Sequence, residues 1–184
     1  SEVFMNQMTP GEQEYLHKLA KRLIRLRDFL NSLDVKDDLA IDQWFEWLAQ
    51  IKEIQGNSNN DISFTACLMA KAYLIREFGE IDDFDVSAKP QGAPGLDIDI
   101  QTRTGKRIIG EIKTTVPYSG ARNDLGAQQK DAFQKDFAKL NNTPADYKYF
   151  FVTDATTYNI AKRKYAHQIP GVEIVQLVIK DYTD

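Results

Sequence analysis

One cysteine and two histidines among 184 residues remove the material for several common chemistries. Cys67 alone forms no internal disulfide. Within Phe64-Thr65-Ala66-Cys67-Leu68-Met69-Ala70 it reads as a small hydrophobe in a reducing, cytoplasmic setting. His17 and His167 lack Cys or His partners at metal-ligand spacing, so zinc sites and histidine-dependent triads have no support. No run approaches the roughly 18–20 apolar residues of a membrane span, and the start lacks the basic-then-apolar order of a signal peptide. A positive surplus is missing too. With 23 Lys+Arg against 27 Asp+Glu, the net charge is -4, and a nucleic-acid partner would have to be held by a local patch. The glycines near Gly92 and Gly95 are followed by neither a helix nor a Lys-Ser/Thr pair, which excludes a nucleotide-triphosphatase loop.

What remains is a composition of 42% hydrophobic and 27% charged residues, ordinary for a globular protein with one sizeable core. The opening Ser1-Glu2-Val3, with no initiator Met, reads as that of a trimmed or excised chain. Thr9-Pro10-Gly11-Glu12 carries a cap, a Pro at the first helical position and a Glu three after the cap, which predicts a helix start. Leu16, Leu19, Leu23, Leu26, Leu30 and Leu33 then alternate at spacings of three and four. This seam is too short for an independent coiled coil and predicts packing on a neighbouring helix, or else a homodimer through the N-terminal helices.

A second helix capped within Asp34 to Asp38 would carry Ile41, Trp44, Phe45, Leu48, Ile51 and Ile54 on a broad apolar face. That face suits packing against the first helix, with a stacking platform for bases as the alternative. Gly56 to Asn60 is a breaker. It divides a two-helix extension, residues 1–60, from a core over residues 61–184. In that core the patterns predict a helix from Asn60 or Asp61 to Gly79, a hairpin of Leu96–Ile100 with Arg107–Thr115, a helix over Asp124–Leu140, a strand over Tyr147–Thr153, a helix over Tyr158–His167 and a strand over Val172–Ile179. The fold class is α/β (α+β), a central sheet covered by helices.

Period two places Asp97, Asp99 and Gln101 on one face of the first hairpin strand, and Glu111 and Lys113 on one face of the second. If the strands pair, Asp97 and Glu111 meet around one metal ion with Lys113 beside them. Mg²⁺ takes one or two carboxylates, waters and a substrate phosphate, and it acidifies a bound water. Lys113 would orient that water or stabilise charge on the phosphorus centre.

Pro94-Gly95-Leu96-Asp97-Ile98-Asp99 followed by Gly110-Glu111-Ile112-Lys113 resembles the Asp, then Glu-x-Lys, signature of the PD-(D/E)XK nucleases, the restriction-endonuclease-like superfamily. The order of elements over about residues 61–179 agrees with it. The resemblance implies a restriction-endonuclease-like mixed sheet flanked by helices, and Mg²⁺-dependent hydrolysis of DNA phosphodiesters, with Mn²⁺ as a substitute. It makes Asp97 and Glu111 metal ligands and Lys113 the residue that positions or activates water. Many members also carry a Glu in the helix before the hairpin, whereas Ser63 to Arg76 contains no acidic residue. Asp99 would serve as a compensating ligand, or else as a solvated strand residue or the salt-bridge partner of Lys113.

Lys89, in the Gly/Pro loop before Asp97, and Arg122, Gln129 and Lys130, after Lys113, are the candidate DNA contacts. Lys18, Lys21, Arg22 and Arg25 form a basic stripe on the first helix, read first as a solvated face. The leading expectation is a restriction endonuclease or its catalytic domain. A repair or recombination nuclease, and a non-cutting module that binds nucleic acid or protein, are the alternatives.

Overall fold

The computed structural model describes residues 7–79, 81, 83–118 and 123–177. Three helices come first: α1 over Pro10–Asn31, α2 over Ile41–Gln55 and α3 over Ser58–Phe78. They are followed by the strands β1, Ile98–Gln101, and β2, Arg107–Lys113, and by the helix α4, Ala127–Asn142. The strand β3 covers Tyr147–Val152, the helix α5 covers Ala155–Ile160, and β4 covers Val172–Gln176. Past Ile160, α5 runs on as a π-helical turn over Ala161–Tyr165.

The four strands form one mixed sheet in the order β1-β2-β3-β4. β1 and β2 are antiparallel, with Ile98 opposite Gly110 and Gln101 opposite Arg107. The turn between them closes through Gly105, whose φ of 79° is open to glycine at little cost, and whose N–H donates to the Thr102 carbonyl at 3.0 Å. β3 lies parallel to β2 and β4 parallel to β3. Such pairs need crossovers, and α4 and α5 provide them.

Alternation sorts the sheet into two apolar layers. Ile98, Ile100, Ile108, Tyr149 and Phe151 pack with Phe64, Leu68 and Leu74 of α3. On the opposite face Ile109, Phe150 and Val152 pack with Phe133, Phe137 and Leu140 of α4 and Ile160 of α5. Phe150 and Phe151, adjacent in sequence and both fully buried, are therefore the anchors of different layers.

The capping box of α1 forms as its sequence predicts. Thr9 Oγ1 accepts from Glu12 N at 3.1 Å, and Thr9 N donates to Glu12 Oε1 at 3.0 Å. Glu12 is nevertheless no surface cap. It is wholly buried, with Lys71 Nζ of α3 at 2.6 and 2.9 Å from its two oxygens, and Val86 N donating to Oε2 at 2.9 Å. Met8, Tyr15 and Leu16 also join the α3 layer. The first two turns of α1 are thus part of the core, and the projecting extension begins beyond them.

Three local expectations need correction. α2 starts at Ile41 behind Ala40, which offers no side-chain cap, so none of the residues from Asp34 to Asp38 caps it. α3 starts at Ser58 because Asn57 Oδ1 accepts from Asn60 N at 3.2 Å, and this leaves a connection of only two residues. The apolar stripe of α2 is mostly uncovered: Ile54 is buried, but Ile41 is 82% exposed, Phe45 73% and Leu48 61%. A single hairpin partner covers one side of a helix, and α1 turns Leu19 and Leu26 half inward, as does Leu33 just past its end, while Leu23 and Leu30 stay exposed. Trp44 and Trp47 meet edge to face, with ring centroids 6.1 Å apart. The predicted end of the last strand, residues 178–179, lies outside the described residues. No helix among the described residues is long and apolar enough to cross a membrane.

Candidate functional site

Asp97 immediately precedes β1, and the register that pairs Ile98 with Gly110 sets it beside Glu111. Its Oδ2 accepts from Ile112 N at 2.9 Å, which ties the carboxylate to the neighbouring strand. Glu111 and Lys113 face the α4 side, as alternation from Ile109 requires. The hairpin therefore brings Asp97, Glu111 and Lys113 together. They line one cleft of about 270 Å³ with Ser63 and Cys67 of α3, Gly92 and Gly95 of the preceding loop, and Asp136 and Lys139 of α4.

Glu111 is 1% exposed, and its Oε1 has no hydrogen-bond partner. Lys139 Nζ stands 3.1 Å from that oxygen as a charge partner without hydrogen-bond alignment. Burial is the main force that raises the Glu111 pKa to about 8, followed by a hydrogen bond and like charge from Asp97 and by the charge of Asp136; Lys139 opposes them. A buried carboxyl beside a second carboxylate holds a proton unless a cation compensates it. Burial, followed by the charges of Asp97 and Glu111, pushes the Cys67 thiol up to about 12, so it lines the cleft as a neutral group.

Lys113 is engaged. Its Nζ lies 2.5 Å from Asp136 Oδ2 and 6.0 Å from the centre of the Phe133 ring. Asp136 and Lys139 were not among the residues expected here. The available signal was an acidic residue on the apolar stripe of a helix, since Phe133, Asp136, Phe137 and Leu140 are the buried positions of α4.

The other candidates lie elsewhere or have local partners. Asp99 forms a two-pronged ion pair with Arg107, at 2.9 Å to Nε and 2.8 Å to Nη2, and does not join Asp97 and Glu111. Its salt-bridge partner is Arg107 rather than Lys113. Lys89 Nζ donates to the Leu96 carbonyl at 2.9 Å and braces the loop that leads to Asp97. Gln129 is a helix-capping residue: Gly126 N donates to its Oε1 at 3.0 Å, and its Nε2 donates to the Val116 carbonyl at 2.8 Å. Lys130 pairs with Asp124 at 2.9 Å. Arg122 lies outside the described residues. In the basic stripe of α1, Arg22 pairs with Asp61, and Lys18 lies 3.5 Å from Glu14.

The donor set fits a hard divalent cation. Asp97 and Glu111 present carboxylate oxygens to one cleft, and Glu111 Oε1 is a buried acceptor whose charge partner is the half-exposed Lys139. Among the described residues no three Asp, Glu, His or Cys side chains gather as a ligand set, so the protein would supply two carboxylates and leave the remaining positions to water and substrate. No protein-family model matches the chain, and neither comparison, with curated proteins or with solved structures, gave a match.

Proposed function

We propose that this chain is a divalent-cation-dependent endodeoxyribonuclease of the PD-(D/E)XK, restriction-endonuclease-like type, with restriction of DNA as its leading role. The observation that carries the reading is the placement of Asp97, Glu111 and Lys113 in one cleft, with the Glu111 carboxylate buried there. The mixed sheet with helices on both faces is consistent with it.

Asp97 and Glu111 would hold Mg²⁺ or Mn²⁺. The bound ion would polarise the phosphodiester and acidify a water. Asp97, tied to Ile112 N, and Glu111, immobilised by burial, give the site a rigid carboxylate pair across the hairpin. Lys113 brings a fixed positive charge to the cleft for the negative charge that grows on the phosphorus centre. In the overall hydrolysis a water oxygen bonds to phosphorus, the bond from phosphorus to the leaving sugar oxygen breaks, and that oxygen ends protonated.

A second reading, a module of the same fold that binds nucleic acid without cutting, draws on the pairing of Lys113 with Asp136 and of Lys139 with Glu111. These pairs leave both lysines charge-compensated. The deciding experiment is incubation of unmodified and methylated plasmid and phage DNA with the protein in Mg²⁺, with EDTA and Lys113→Ala as controls. Discrete fragments lost in both controls support the nuclease. Binding without cleavage, weakened by charge reversal at Lys18, Arg22 and Arg25, supports the module.

A further inference from the structure

Two charged side chains of α4 enter the cleft from the helix layer that Glu111 and Lys113 face. The Asp136 side chain is 8% exposed, with Oδ2 at 2.5 Å from Lys113 Nζ and Oδ1 at 3.3 Å from Lys139 Nζ. Lys139 Nζ reaches Glu111 Oε1 as well, at 3.1 Å. It is therefore the cation that touches both buried carboxylates at once. Three carboxylates, of Asp97, Glu111 and Asp136, share the cleft with two ammonium groups.

The partners differ in freedom. The Glu111 side chain is 2% exposed, whereas that of Lys139 is 40% exposed and ends a flexible four-carbon stem. A divalent cation and an ammonium at Oε1 repel each other within a few ångströms and compete for one oxygen. The member able to leave is Lys139.

Building on the nuclease reading, we propose that Lys139 is the resident counter-ion of the cation site: its ammonium compensates Glu111 and Asp136 in the cation-free protein and is displaced outward when a divalent ion binds. Asp136 stays with Lys113 and keeps that lysine aimed into the cleft. Lys139 is a positioning residue and competes with the metal instead of holding it.

The test is calorimetric titration of MnCl₂ into the full chain, wild type against Lys139→Met and Lys139→Arg, with circular dichroism of each. Removing the competing charge should tighten Mn²⁺ binding about three- to tenfold in Lys139→Met, the range expected of a partly exposed ion pair. Lys139→Arg, which keeps the charge, should bind like wild type. A purely structural salt bridge predicts the opposite: Lys139→Met with unchanged or weaker affinity, which overturns the proposal while leaving the cation site intact. If Lys139→Met proves misfolded, Lys139→Gln carries the same expectation. Absence of Mn²⁺ binding at millimolar concentration in wild type and both neutral variants would overturn the cation site itself, and this proposal with it.

Discussion

Glu12 and Lys71, 59 residues apart, form an ion pair of 2.6 Å that is almost completely closed to solvent. It joins the first turn of α1 to the middle of α3, the helix under the β1–β2 hairpin. Breaking a buried pair from one side strands a charge, at a cost of about 3–5 kcal/mol. Lys71→Met and Glu12→Gln should each lower stability in urea by that order, and the double variant should lose clearly less than the sum. The double-mutant cycle checks it. A fragment that begins at residue 61 should fold poorly for the same reason.

Asp97 and Asp99 make a discriminating pair for cleavage. Asp97 sits beside Glu111, while Asp99 is occupied by Arg107. Asp97→Asn should abolish Mg²⁺-dependent cleavage, by at least about a hundredfold in rate. Asp99→Asn should leave the rate within a few-fold of wild type. Equal losses would place Asp99 in the site.

Lys113 and its partner give a second kinetic test. Asp136→Asn keeps the shape of the side chain but removes the charge 2.5 Å from Lys113. Cleavage should fall about tenfold or more through kcat with KM for DNA little changed, since the lysine is then held less firmly. Single-turnover measurements with saturating DNA separate the two.

Acid sensitivity should map partly to Asp124. Hydrogen bonds from Lys130 and Tyr165 hold its carboxyl well below the ordinary value of 3.8, with Leu125 N and Lys164 adding to them. A depressed folded-state pKa means that the unfolded chain takes up the proton first. The stabilisation is present above about pH 4 and is lost as the pH falls further. The Tm difference between wild type and Asp124→Asn should be clear at pH 6 and shrink toward pH 2.

Gly11 is a packing constraint. A Cβ there would lie 2.1 Å from Ser87 Oγ, which itself donates to Asp85 Oδ1 at 2.6 Å. Gly11→Ala should lower Tm by several degrees despite its better helix propensity. Gly11→Ala combined with Ser87→Gly should recover most of that loss.

The hairpin and its carboxylates were legible because they depend on neighbours in sequence. Alternation alone assigns Asp97, Glu111 and Lys113 their face, and five turn residues bring the strands together. Asp136 and Lys139 were not, since their roles depend on how α4 lands on the sheet, a long-range event with only one hint, a carboxylate among Phe133, Phe137 and Leu140. Local signals misled in two places. The acidic run before α2 looked like a cap but ends two residues short of the helix. The apolar face of α2 looked like core, yet α1 had already spent its own first turns on α3. Glu12 shows the same limit: its capping role was readable, its buried partner was not.

β2, β3 and β4 run in the same direction, with Lys113, Val152 and Gln176 level across the sheet. Their carboxyl ends open on one rim, and the segment that leaves β2 starts in the cleft with Thr114. Substitutions in that segment, or in the loop over residues 91–95 before β1, change what borders the cleft while the strands and their register stand unchanged. On the nuclease reading, chemistry and selectivity are thereby encoded in separable stretches of the chain, so that targets can change without rebuilding the centre.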